Sequence, residues 1–167
     1  PAIRNHTDEL IIVDNDSCDP ETLEYLASLD SDGARVLSCP GPFNFSKLNN
    51  IAVSSASGEF LCLLNNDAQA LDDCWLEEML SRAVEPDVGA VGALLIRPDQ
   101  TVQHGGIVLG SGFSVGVCFA AAHAFTDCLV GDAGYTDLLR VAHEVSALTA
   151  ACMVTRRSDY MQVGGLD

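Results

Sequence analysis

Short apolar runs and segments of helical period alternate along the chain. Leu10-Ile11-Ile12-Val13 is a continuous, β-branched run and predicts a strand covered on both faces. Asp19-Pro20 supplies an N-cap followed by proline at the first helical position, and Leu23, Leu26 and Ala27 fall at helical spacing until Gly33 stops the helix. Arg35-Val36-Leu37-Ser38 predicts a second strand. After the punctuation of Pro40-Gly41-Pro42, the residues Phe45, Leu48, Ala52 and Ala56 mark one face of a second helix closed near Gly58. Residues 60–64 read as a third strand that stops abruptly at Asn65-Asn66-Asp67. Asp72-Asp73 can cap a third helix with the stripe Trp75, Leu76, Met79, Leu80 and Ala83, ended by Pro86. Residues 88–96 predict a strand, Pro98-Asp99 turns the chain into residues 101–109, residues 110–135 read as a mobile loop, and residues 145–154 as a last strand before a short helix reaching Gly164-Gly165. Strand–helix alternation with short connections predicts an α/β fold built on a mostly parallel sheet with flanking helices.

Composition narrows the partners. The 167 residues suit a single domain, 1–167, and 48% hydrophobic against 19% charged residues supplies a core. Eight Lys+Arg against 24 Asp+Glu give a formal charge of −16, which repels nucleic acid and anionic lipid surfaces. A bound phosphate must therefore rely on backbone N–H groups, a metal ion or one of the few cations. The longest apolar stretch, residues 115–122, is far below the ~20 residues of a membrane-crossing helix. The seven scattered cysteines form no C-x-x-C pair and read as buried, reduced thiols of a cytoplasmic protein, with a zinc site or a disulfide framework as the alternatives.

Ligands of parallel sheets bind beyond the carboxyl ends of the strands. Two polar clusters fall there: Asp14-Asn15-Asp16-Ser17 and Asn65-Asn66-Asp67. Short carboxylates and carboxamides at such a place can hold a hard divalent cation and hydrogen-bond a base or ribose, and they can equally serve as helix caps and turn residues. His104 in Gln103-His104-Gly105-Gly106 reads as a turn histidine or a ligand contact, His123 and His143 as loop residues, and Trp75 as core packing. Asp159 and Asp167 read as cap or turn residues, and Glu144 as a candidate for an acceptor pocket.

The strings Leu10-Ile-Ile-Val-Asp-Asn-Asp-Ser17, Pro42-Phe-Asn-Phe-Ser-Lys-Leu-Asn-Asn50 and Gly58-Glu-Phe-Leu-Cys-Leu-Leu-Asn-Asn-Asp67 resemble the family 2 inverting glycosyltransferases. Val102-Gln-His-Gly-Gly106, Thr149-Ala-Ala-Cys152 and Val163-Gly-Gly-Leu-Asp167 extend the likeness toward rhamnosyltransferase-like members. The resemblance implies a GT-A nucleotide-diphospho-sugar transferase fold and transfer of a sugar, with inversion, to a saccharide hydroxyl in surface polysaccharide synthesis. The implied donor is UDP- or dTDP-linked, and the implied cofactor is Mg²⁺ or Mn²⁺. The family's Asp-x-Asp motif falls on Asn65, Asn66 and Asp67, making Asp67 the expected metal ligand and Asn65 and Asn66 neighbours of the donor. Asp14 and Asn15 take the base-recognition position, Asn49 is expected to face the nucleotide, and His104 to lie at the donor or acceptor.

Three departures follow. Asn65 stands where many members have the first aspartate of the motif, and Asn15 replaces an aspartate that accepts from a base N–H. The family's opening strand has no counterpart before Leu10, and its Glu-Asp base region would lie beyond Asp167, so the resemblance implies a chain truncated at both ends, with the catalytic base outside it and no turnover by this piece alone. The alternative function is a non-catalytic nucleotide- or carbohydrate-binding module, or an inactive remnant. A sugar nucleotidyltransferase is disfavoured because no glycine-rich, basic phosphate loop opens the chain.

Overall fold

A computed structural model describes residues 9–110, 113–114, 117–118 and 121–167, the pairs at 113–114 and 117–118 by backbone alone. The expectations placed on residues before Glu9, and on much of the apolar stretch 115–122, lie outside the described residues. The chain divides into two compact units, one of residues 1–61, 70–81 and 155–167 and one of residues 62–69 and 82–154.

The first unit opens with β1 (Ile11–Asp14), which pairs in parallel with β2 (Arg35–Ser38) from Ile11↔Arg35 to Asp14↔Ser38. The crossover between them is α1 (Pro20–Ser31). Asp19 caps it as the sequence predicts: its carboxylate accepts from the Thr22 N–H and the Thr22 hydroxyl, both at 2.9 Å. Those bonds hold the Asp19 carboxyl below its ordinary value. Gly33, at φ +91°, then turns the chain into β2. Asn44 caps α2 (Phe45–Ser55) by accepting from the Lys47 N–H at 2.8 Å, and Val53 is the buried residue of that helix. Arg35 donates to the Ser55 carbonyl at 2.8 Å and pairs with Glu9, whose second oxygen takes the Ser57 N–H at 2.8 Å. The start of β1, the start of β2 and the end of α2 are thereby fastened together. The short helix α4 (Arg157–Gln162) closes this unit and buries Tyr160.

β3 (Phe60–Leu64), α3 (Trp75–Ala83) and β11 (Cys152–Arg156) each contribute residues to both units. The stripe predicted for α3 holds: Leu76, Met79 and Ala83 are buried, with Trp75 and Leu80 half-buried. In the sheet β3–β11–β4, the Asn65 N–H donates to the Ala151 carbonyl and the Arg157 N–H to the Glu59 carbonyl. Position rises along one strand as it falls along the other, so β11 runs antiparallel to β3.

The second unit departs most from expectation. The strand predicted over residues 88–96 is two short ones, β4 (Ala90–Gly92) and β5 (Leu95–Ile96). The break follows Gly92, where a Cβ would stand 2.7 Å from Leu148 Cδ2, so that the absent side chain admits Leu148. The run at 101–109 is likewise β6 (Val102–His104) and β7 (Ile107–Leu109), divided at Gly105-Gly106, with Gly106 at φ +107°. β6 pairs antiparallel with β5. The region predicted as a loop instead carries β8 (Phe113–Ser114), β9 (Val117–Cys118) and β10 (Ala121–His123), followed by a kinked 3₁₀ turn at Tyr135–Arg140. β8 pairs antiparallel with β9, and β10 with β7. The last strand begins at Cys152 rather than Val145. The residues before it are committed elsewhere: Val145 Cγ1 fills the space at Gly106, and the Ile107 N–H donates to the Ala147 carbonyl at 2.9 Å. The α/β class therefore holds. The parallel character is met at β1–β2, while β5–β6, β7–β10 and β8–β9 pair antiparallel.

Candidate functional site

The expected site residues fall at strand ends, except Asn49, which lies within α2. In the first unit, Asp14 closes β1 and its Oδ1 accepts from the Ser17 N–H, three residues on, at 3.0 Å, a local bond that bends the chain away from the strand. Asn15, half-buried, donates through Nδ2 to the carbonyls of Cys39 at 2.7 Å and Gly41 at 3.1 Å. Two carbonyl acceptors fix which end of the amide is nitrogen. Oδ1 is left without a partner among the described residues, and it is the acceptor that a base N–H would need. This side chain thus adds to the Cys39 N–H bond on the Asp14 carbonyl in tying the end of β1 to the segment after β2.

Asn49 lies on α2. Its Nδ2 donates to the Phe45 carbonyl at 2.9 Å, one turn back along its own helix. The neighbouring Asn50 is the residue that sequence reasoning missed. Its Nδ2 donates to the Leu166 carbonyl at 2.8 Å, and its Oδ1 accepts from the Leu166 N–H at 3.0 Å and the Tyr160 hydroxyl at 2.6 Å. Burial holds the Tyr160 phenol above its ordinary value. The signal available beforehand was an Asn-Asn pair on a helix together with Gly-Gly 115 residues later. Nothing local could connect them.

In the second unit, β3 ends in a turn closed by the Ala68 N–H donating to the Asn65 carbonyl at 3.2 Å. Asn65 is half-buried, with its own N–H on Ala151, while Asn66 and Asp67 are exposed. The Asp67 carboxylate has no hydrogen-bond or ion-pair partner among the described residues. Among those residues no group of three or more His, Cys, Asp or Glu side chains is gathered to hold a metal. One exposed carboxylate with flanking carboxamides is an all-oxygen donor set. It fits a Mg²⁺- or Mn²⁺-type ion that takes one protein carboxylate and draws its other ligands from water and bound phosphate.

His104 sits elsewhere in that unit. It is 1% exposed on β6, and its Nδ1 lies 3.0 Å from Nδ1 of His123 on β10. The contact requires one imidazole to donate and the other to accept. His104 Nε2 is buried without a hydrogen-bond partner among the described residues. Burial first, and then the charge of His123, lower the His104 pKa to about 4. The structure thus makes His104 a packed, neutral member of a histidine pair, and His123 has a partner that the sequence did not reveal. Cys62 and Cys152 are free thiols that hydrogen-bond to each other; of the cysteines expected to be buried, Cys152 is, Cys39, Cys62 and Cys128 are half-buried, and Cys18 and Cys74 are exposed.

Comparison with known proteins bears on these residues. The chain matches the family described as glycosyl transferase family 2 over residues 2–161. It is 42% identical over 164 residues to the uncharacterized protein y4gI of Sinorhizobium fredii, covering 95% of this chain and 17% of that protein. It is 38% identical over 164 residues to the O-antigen biosynthesis protein RfbC of Myxococcus xanthus, covering 95% of this chain and 12% of that protein. The chain therefore spans less than a fifth of the length of either relative. No solved structure matches it.

Proposed function

The chain belongs to glycosyl transferase family 2, and from that premise we propose that it takes part in moving a glycosyl group from a nucleotide-diphosphate sugar to a saccharide hydroxyl, with inversion. The relative named for O-antigen biosynthesis supports an acceptor in surface polysaccharide assembly. No helix among the described residues is long and apolar enough to cross a membrane.

The observation that carries the reading is the free Asp67 carboxylate on the turn that ends β3. Asp67, with the Asn65 and Asn66 carboxamides beside it, would hold Mg²⁺ or Mn²⁺. Bound there, it would supply positive charge to offset the negative charge of the donor diphosphate. The rest falls to the chain's own groups. Asn15 Oδ1 accepts from a base N–H, because its amide nitrogen is occupied by Cys39 and Gly41. Asp14 holds the turn that presents Asn15. In an inverting transfer the acceptor oxygen bonds to the anomeric carbon on the face opposite the breaking bond to the diphosphate, and the acceptor's proton passes to a carboxylate base. His104, buried and paired, supports the residues around it rather than touching the sugar.

Titration with UDP and dTDP, with and without Mn²⁺, by calorimetry tests the reading. Metal-dependent binding that falls at least about tenfold in Asp67→Ala, roughly 1.4 kcal/mol, is expected. Equal responses of the two proteins, or a response indifferent to Mn²⁺, would refute it. Nucleotide binding without any transfer, in a protein carrying this domain at the length of its relatives, would instead favour a binding module.

A further inference from the structure

The Asn50 contacts reach beyond helix packing. After α4 the chain passes through Gly164 at φ +86° and Gly165 at φ +85°, two left-handed residues in succession. The Gly164 N–H donates to the Met161 carbonyl and the Gly165 N–H to the Tyr160 carbonyl, so the helix end is capped while the chain reverses over α2. There Asn50 grips both polar groups of Leu166, as a neighbouring strand would, and Ser46 Oγ donates to the Asp167 carbonyl at 2.6 Å. A Cβ on Gly165 would stand 2.4 Å from Asn50 Oδ1, so the close approach depends on glycine.

This grip builds one wall of an open groove of about 400 Å³ within the first unit. Its lining includes Asn44, Ser46, Lys47 and Asn50 from the α2 side, and Leu166 and Asp167 opposite. These residue types combine amide, hydroxyl, ammonium and carboxylate groups with a small aliphatic patch. A pyranose asks for that combination, since each hydroxyl both donates and accepts and the ring carries a C–H face. A polyanion is disfavoured by the aspartate and by the charge of the whole chain.

We propose that this groove is a saccharide-binding subsite in which Asp167 accepts from sugar hydroxyls, and that Asn50 is the positioning residue that presents it. The inference rests on the glycosyl-transfer reading and extends it to the acceptor side. Asn50 acts through the Leu166 peptide: the two-point hold fixes the direction in which the chain leaves Leu166 and hence where Asp167 stands.

The test is an NMR titration of the chain with methyl glycosides of hexoses and 6-deoxyhexoses, mapping amide shifts, with thermal stability measured on the same samples. Shifts are expected at residues 44–54 and 166–167. Asp167→Asn keeps shape and removes charge, and should weaken binding about fivefold with a melting temperature within about 2 °C of the parent. Asn50→Asp keeps both acceptor bonds and loses the donation to Leu166, so it should weaken binding by a similar factor although Asp167 is intact. Tyr160→Phe removes one bond to Asn50 and leaves the hold on Leu166, so it should lower stability while affinity stays within about twofold. Glycoside shifts absent from these residues, Asp167→Asn binding like the parent, or affinity that tracks melting temperature across the variants would overturn the proposal. The UDP and Mn²⁺ titration on the same samples separates the two readings. Nucleotide binding with no glycoside response defeats the groove alone, and loss of the nucleotide response defeats the donor assignment on which it rests.

Discussion

Acid should weaken this fold through His104 before it reaches the carboxylates. The imidazole is buried against His123, and its pKa is lowered from 6.5 to about 4, so the folded state binds this proton far less readily than the unfolded state does. The stabilisation is fully present above the unfolded value. It is lost as pH falls from about 6.5 toward about 4 and changes no further below that. A difference of that size corresponds to about 3 kcal/mol over the whole window, of which about 2 kcal/mol is lost between about pH 8 and about pH 5. The formal charge of −16 acts in the opposite sense, because protonating carboxylates relieves self-repulsion. The informative quantity is therefore the difference between the parent and a variant with no titrating group at position 104. Urea unfolding across that pH range, for the parent and His104→Gln, should show the parent losing about 2 kcal/mol more. His123→Gln, which leaves His104 in place and removes the neighbouring positive charge, should show a shallower loss than the parent. Identical acid slopes in all three proteins would refute the assignment of a buried, neutral His104.

Two adjacent glycines supply an internal control. Gly164→Ala puts a side chain at φ +86° with open space around it and should cost about 1–2 kcal/mol of unfolding free energy for the backbone alone. Gly165→Ala adds a collision with the Asn50 amide and should cost at least about 1 kcal/mol more, and equal losses in the two variants would contradict the Asn50 grip. Asn44→Ala removes the cap on α2 and should lower stability by about 1 kcal/mol, measured by urea unfolding, whereas Asn44→Asp should preserve most of it.

The sequence revealed best what is decided locally. The Asp19-Pro20 start of α1, the run that becomes β3 and the buried stripe of α3 all follow from residues within a few positions of one another. It failed where pairing is distant. Nothing near Val145 says that its side chain fills the gap at Gly106, or that Ala147 bridges Ile107, so residues 145–151 read as strand on apolar content alone. The strand at 88–96 was overextended for the same reason, since Gly92 marks a close approach by Leu148 rather than the middle of a ladder. The polar clusters after β1 and β3 were legible as strand ends, because short oxygen-bearing side chains after an apolar run stop a strand and close a turn. Which of two adjacent asparagines holds the Gly-Gly segment was not legible, because the partner lies more than 100 positions away. The setting of His104 was equally hidden, since Gln-His-Gly-Gly looks like a turn until β6 takes its place in the fold.

The amide of Asn15 carries a consequence for how this chain can change. Its nitrogen faces two backbone oxygens, and an aspartate there would set negative charge against both of them with no proton to share. Placing an aspartate at position 15 is therefore not a single step. The loop around Pro40 would have to turn its carbonyls aside first, so the two stretches are locked into changing together or not at all.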